Sequence, residues 1–103
     1  MHTLIARHIP AISALCRRYG VQRLEVFGSA ARGADFDETE SDADFLVEFA
    51  SGHDMAPLTQ FVGLADDLQA LLGRPVDLVE AGAVENPYIL AGIESARETV
   101  YAG

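Results

Sequence analysis

The sequence predicts a small α/β domain: a mixed three-stranded sheet covered by helices. Three observations predict it. Segments of helical and strand periodicity alternate in the order helix, strand, short helix, strand, helix, strand, helix. The chain has 103 residues, the length of one domain, so residues 1–103 are expected to form a single unit. Half of the residues are hydrophobic, and a chain this long can bury roughly 60–70% of the surface it exposes when unfolded.

The first helix is expected within Thr3 to Tyr19. Its apolar positions are Ile5, Ile9, Ile12, Leu15, Cys16 and Tyr19, which is helical spacing. Pro10 interrupts the run, so the well-formed part starts near Ile9 with Pro10 in its first turn. Gly20 is a natural stop. Cys16 sits on the apolar stripe and reads as a buried thiol.

Gln22 to Phe27 is a short strand, followed at once by Gly28-Ser29. Ser29 is suited to cap a short helix through Ala30, Ala31 and Arg32. Gly33 to Ser41 is a polar, acidic loop. Ala43 to Phe49 is the second strand, and its Phe-Leu-Val-Glu-Phe run implies burial on both faces for part of its length. Ser51 to Asp54 forms a turn, and His53 within it reads as a surface histidine.

Met55 to Leu72 gives the clearest helical pattern. Leu58, Phe61, Val62, Ala65, Leu68, Leu71 and Leu72 recur at threes and fours and predict one apolar stripe. Gly73 ends it. Pro75 to Glu80 is the third strand. Asn86 caps a last helix with Pro87 at its first position. That helix is expected to use Tyr88, Ile89, Ile93, Ala96, Val100 and Tyr101.

Charge narrows the partners. Seven basic residues stand against 16 acidic ones, a net charge of −9. Nucleic-acid binding draws its affinity from Lys and Arg on phosphates, so direct nucleic-acid contact is not expected. A basic protein, or a metal with a nucleotide, suits this chain better. The single cysteine excludes an internal disulfide and fits a reducing compartment. No run approaches the ~20 apolar residues of a membrane span, and the N-terminal residues lack the features of a signal peptide. A cytoplasmic location without membrane contact is expected.

The acids carry the chemistry. Asp42 and Asp44 are two apart, so on a strand both leave the same face, with Cα atoms about 6.5–7 Å apart. Two carboxylates so placed can converge on one ion, and magnesium takes such oxygen ligands together with water and phosphate. Asp77 interrupts the apolar strand Pro75 to Glu80. If that strand lies beside the second, Asp77 completes a triad. Taken alone, Asp42-Ala43-Asp44 is also compatible with a solvated acidic loop entering a strand. A calcium loop starting at Asp35 is excluded, because Glu40 would replace its turn glycine and Leu46 its final glutamate. Gly28 permits close backbone approach to a ligand. Ser29 at a helix start adds a hydroxyl to free N–H groups that favour phosphate. Arg32 near the same opening could pair with phosphate.

Together these residues resemble the signature of the DNA polymerase β-like nucleotidyltransferase superfamily: Gly-Ser, a spacer, Asp-x-Asp, and a third acid on a later strand. The short length, with "GSAARG", "SDADFLVEF" and "GRPVDLVE", is most similar to the minimal nucleotidyltransferases of the MNT or MntA type. These are antitoxins paired with HEPN ribonuclease toxins. The resemblance covers nearly the whole chain. One departure is the spacer, Ala30 to Ser41, of twelve residues where the family usually has ten. A second is Ala30, a position often arginine in the family.

The resemblance implies a polymerase β-like fold. It implies that Gly28, Ser29 and Arg32 bind the nucleotide, and that Asp42, Asp44 and Asp77 are catalytic ligands of two Mg²⁺ ions. The implied reaction moves AMP from ATP to a tyrosine hydroxyl of the cognate HEPN RNase toxin, within a hetero-oligomer of the two. Two other functions stay open: an antitoxin that masks its toxin by contact alone, and a transferase of small molecules.

Overall fold

A computed structural model describes residues 3–27, 43–52, 54–81 and 97–103. These hold α1 (Thr3–Arg7), α2 (Ile9–Arg18), β1 (Val21–Phe27), β2 (Ala43–Phe49), α3 (Pro57–Leu72), β3 (Val76–Glu80) and β4 (Glu98–Ala102). The short helix after Ser29, the acidic loop, His53 and the helix expected from Asn86 to Ala96 lie outside the described residues.

The sheet is mixed, as expected, but has four strands in the order β3-β2-β1-β4. β1 pairs antiparallel with β2 and with β4, and β2 pairs parallel with β3. The fourth strand corrects the sequence expectation. Glu98–Ala102 is a strand, not the end of a helix, so Val100 and Tyr101 do not belong to a helical stripe. Thr99, Val100 and Tyr101 are β-branched or aromatic residues that suit a pleated surface. Their partner is β1, more than seventy positions earlier, with Leu24 opposite Tyr101.

The helix boundaries follow local chemistry. α1 stops at Arg7, and α2 begins at Ile9 with Pro10 in its first turn, where a missing N–H costs no helical bond. Gly20 and Gly73 both take positive φ, 69° and 66°, the left-handed conformation that closes a helix and that glycine adopts without a Cβ clash. The Gly73 N–H donates to the Gln69 carbonyl at 2.9 Å.

α2 packs on β1 and β4, α3 packs on β3, and the two helices touch. Beneath them Ile5, Ile12, Cys16, Leu24, Val26, Phe45, Val47, Leu64 and Leu68 are buried in one core. Burial pushes the Cys16 thiol up to about 12, as expected of a core thiol that is inert at neutral pH. The α2–α3 contact is polar at its centre. Tyr19 Oη donates to Asp67 Oδ2 at 2.5 Å, and buried Gln60 donates to the Tyr19 carbonyl at 2.8 Å. Gly63 makes room for this ring, since a Cβ there would stand 2.7 Å from Tyr19 Cε1.

α3 corrects a second expectation. Its core row is Gln60, Leu64, Leu68 and Leu72, spaced by four. Leu58 and Val62 are 74% and 47% exposed. The helix carries two apolar rows, and periodicity alone cannot say which one turns inward.

Candidate functional site

The register of β2 builds the site. Phe45 pairs with Val26 on β1 and with Leu78 on β3, and Ala43 pairs with Val76. These side chains belong to the helix-covered core and its margin. Alternation along the strands therefore sends Asp44 and Asp77 to the opposite face. There Phe27, Asp44 and Asp77 form one row across β1, β2 and β3. Neighbouring strands lie about 4.8 Å apart, so the two carboxylates stand side by side near the start of both parallel strands. The Ala43 N–H donates to the Pro75 carbonyl at 3.1 Å and fixes this end of the ladder.

The adjacency that the sequence left conditional, β2 beside β3, is present. Asp77 is exposed and Asp44 half-buried, because β3 is an edge strand among the described residues and this face of it is open. Water can reach Asp77, so its charge does not need a buried partner.

Two like charges placed opposite each other on a sheet destabilise it. Two adjacent carboxylates, one half-buried and one open to water, suit a hard divalent cation that keeps water and phosphate in its remaining positions. The donor set therefore fits Mg²⁺. Among the described residues no group of three His, Cys, Asp or Glu side chains gathers to hold a metal. Asp42, which precedes Ala43 in the chain, lies outside them. So do Gly28, Ser29 and Arg32, although β1 ends at Phe27, the residue just before Gly28.

Electrostatics differ between the two edges of the sheet. On the β1–β4 side, buried Glu25 pairs with Arg23 at 3.4 Å and with Arg97 at 3.3 Å. Arg17 and Arg18 end α2 on the same side. On the β3 side Asp44, Asp77 and Glu80 have one described arginine near them in the chain, Arg74. The acidic face is thus kept for the β2–β3 pair. The sequence reading missed the exposed Leu58 and Val62. The signal for them was the second apolar row of α3.

A family model described as a nucleotidyltransferase domain matches residues 11–100. The chain belongs to the nucleotidyltransferase domain family. This nucleotidyltransferase is 44% identical over 81 residues to a candidate protein adenylyltransferase of Methanocaldococcus jannaschii, covering 78% of this chain and 76% of the relative. It is 38% identical over 89 residues to protein adenylyltransferase MntA of Thermococcus cleftensis, covering 84% and 80%. Among solved structures it resembles a candidate minimal nucleotidyltransferase with a TM-score of 0.72 and 35% identity over 95% of both chains. It also shares its fold with a chain in the complex of tri-AMPylated HEPN toxin and MNT antitoxin from Shewanella oneidensis. There the TM-score is 0.65 and the identity 18%, over 96% of this chain and 73% of that one.

Proposed function

We propose that this nucleotidyltransferase is a protein adenylyltransferase that acts as an antitoxin. It transfers AMP from ATP to a tyrosine hydroxyl of a HEPN-type RNase toxin and so silences it. The observation that carries the reading is the side-by-side placement of Asp44 and exposed Asp77 on the sheet face away from the described helices. Names of relatives at 44% and 38% identity support the reaction class. A net charge of −9 supports a basic protein as the acceptor.

In this reading Asp42, Asp44 and Asp77 hold Mg²⁺, and Gly28, Ser29 and Arg32 hold the phosphates of ATP. Mg²⁺ held by these carboxylates would supply positive charge against the triphosphate and the developing negative charge of the reaction. Asp44 and Asp77 fix the line of attack, since two side chains on adjacent strands are held more rigidly than two on a loop. Exposed Asp77, at the sheet edge, faces the incoming acceptor. The tyrosine oxygen forms a bond to the α-phosphorus and gives its proton to water at the open β3 edge. The bond from that phosphorus to the bridging oxygen of the β-phosphate breaks, and pyrophosphate leaves.

The test is intact-mass and peptide mapping of the toxin after incubation with the chain, ATP and Mg²⁺. The expected result is AMP on tyrosine, absent with Asp44→Asn and absent with a chelator. A toxin that is bound and silenced but never modified would replace this reading with masking by contact.

A further inference from the structure

The exposed row of α3 forms one wall of a groove of about 490 Å³ lined by Pro57, Leu58, Phe61, Leu78, Val79 and Glu80. Val62, one turn beyond Leu58, extends its apolar lip. Leu58 and Val62 are the exposed large hydrophobic residues of the described chain. Exposed apolar residues that cluster beside a groove mark an interaction surface.

The charges around this groove select its occupant. Glu80 lines it, and Glu80 with Glu48 lines the adjoining hollow. Exposed Asp54 precedes α3. Among the described residues no arginine lines either hollow. Arg17, Arg18, Arg23 and Arg97 belong to the opposite flank, with α2, β1 and β4. A second copy carries the same net charge of −9 and would meet the groove's acidic rim with like charge. The groove instead complements a basic protein segment with apolar anchors for Leu58 and Phe61 and Lys or Arg against the acidic rim.

The groove also has a place relative to the carboxylates. Glu80 is three residues beyond Asp77 on β3, about 10 Å along the strand and, by alternation, on the other face of the sheet. A partner burying roughly 800 Å² on this flank would cover the β3 edge from Glu80 to Asp77. We propose that the α3–β3 groove is the docking surface for the basic toxin whose tyrosine is adenylylated, holding it against the β3 edge that also carries Asp77. This rests on the function proposed above.

The experiment measures binding of the host's HEPN-type RNase to wild type, to the double variant Leu58→Arg/Val62→Arg and to Asp66→Ala, an exposed position elsewhere on α3. Light scattering reports the mass of each protein alone. Circular dichroism confirms the fold, which exposed substitutions should leave intact. The proposal expects at least tenfold weaker binding for the double variant, unchanged binding for Asp66→Ala, and wild-type affinity that falls with salt. Equal binding by the double variant overturns the groove while leaving the adenylyltransferase reading in place. No binding by wild type overturns both. A wild-type dimer that the double variant dissolves assigns the groove to a second copy and overturns the proposal.

Discussion

Asp44 and Asp77 stand opposite each other across the parallel β2–β3 ladder, on the face turned away from the helices. Neither sits in a loop. The fold holds two like charges in register and leaves the outer one open to water.

That pairing predicts opposite responses of stability and activity. Directly opposed like charges destabilise a sheet. Asp77→Asn should therefore match or slightly exceed wild type in melting temperature without divalent ions. Mg²⁺ should raise the wild-type melting temperature, because ligands that bind only the folded state stabilise it. The variant should lose most of that rise and at least a hundredfold in transfer rate. Thermal melts with and without Mg²⁺, beside an activity assay, check both.

Gly63 should tolerate no side chain. A Cβ would meet Tyr19 Cε1 at 2.7 Å, and the Tyr19 ring is tied at its far end to Asp67. Gly63→Ala should cost about 1–3 kcal/mol, the usual cost of overpacking. Urea unfolding measures it. Pairing it with Tyr19→Phe, which frees the ring from Asp67, should recover part of the loss.

Alkaline pH should weaken the fold in a defined window. The hydrogen bond to Asp67, then burial and the Asp67 charge, raise the Tyr19 phenol above 10.0. Burial raises the Cys16 thiol from 9.0 to about 12. Both groups hold their protons more tightly folded than unfolded, so their contribution is full below 9.0 and is lost as pH rises towards about 12. The chain contains no lysine, so lysine titration does not obscure the effect. Urea midpoints should fall as pH rises above 9.0. Tyr19→Phe should lower the midpoint and reduce the fall.

Arg97 should pin the β4 edge. It pairs with Glu25, whose side chain is 9% exposed, but is itself 36% exposed. Arg97→Ala should therefore cost no more than about 1 kcal/mol globally. Amide exchange should nevertheless quicken in β4 more than in β2, because edge strands open locally before the sheet unfolds.

Much of this fold was legible where local chemistry is decisive. Ala43–Phe49 is bounded as the apolar run indicates, and Pro10, Gly20 and Gly73 mark their helix ends. The errors were non-local. Thr99, Val100 and Tyr101 show their strand character only against β1. Leu58 and Val62 lost the competition for the core to Leu64 and Leu68, which face the sheet. The acids were legible as a motif, while the adjacency of Asp44 and Asp77 depends on strand order, which no short stretch encodes.

The most direct test of the site compares ATP labelled at the α-phosphate with ATP labelled at the γ-phosphate. Each is incubated with the purified toxin, Mg²⁺, and wild type or Asp77→Asn. The arrangement of Asp44 and Asp77 predicts label on the toxin from the α-position only, and only with wild type. Transfer of the γ-label, or α-label transfer that survives Asp77→Asn, would contradict it.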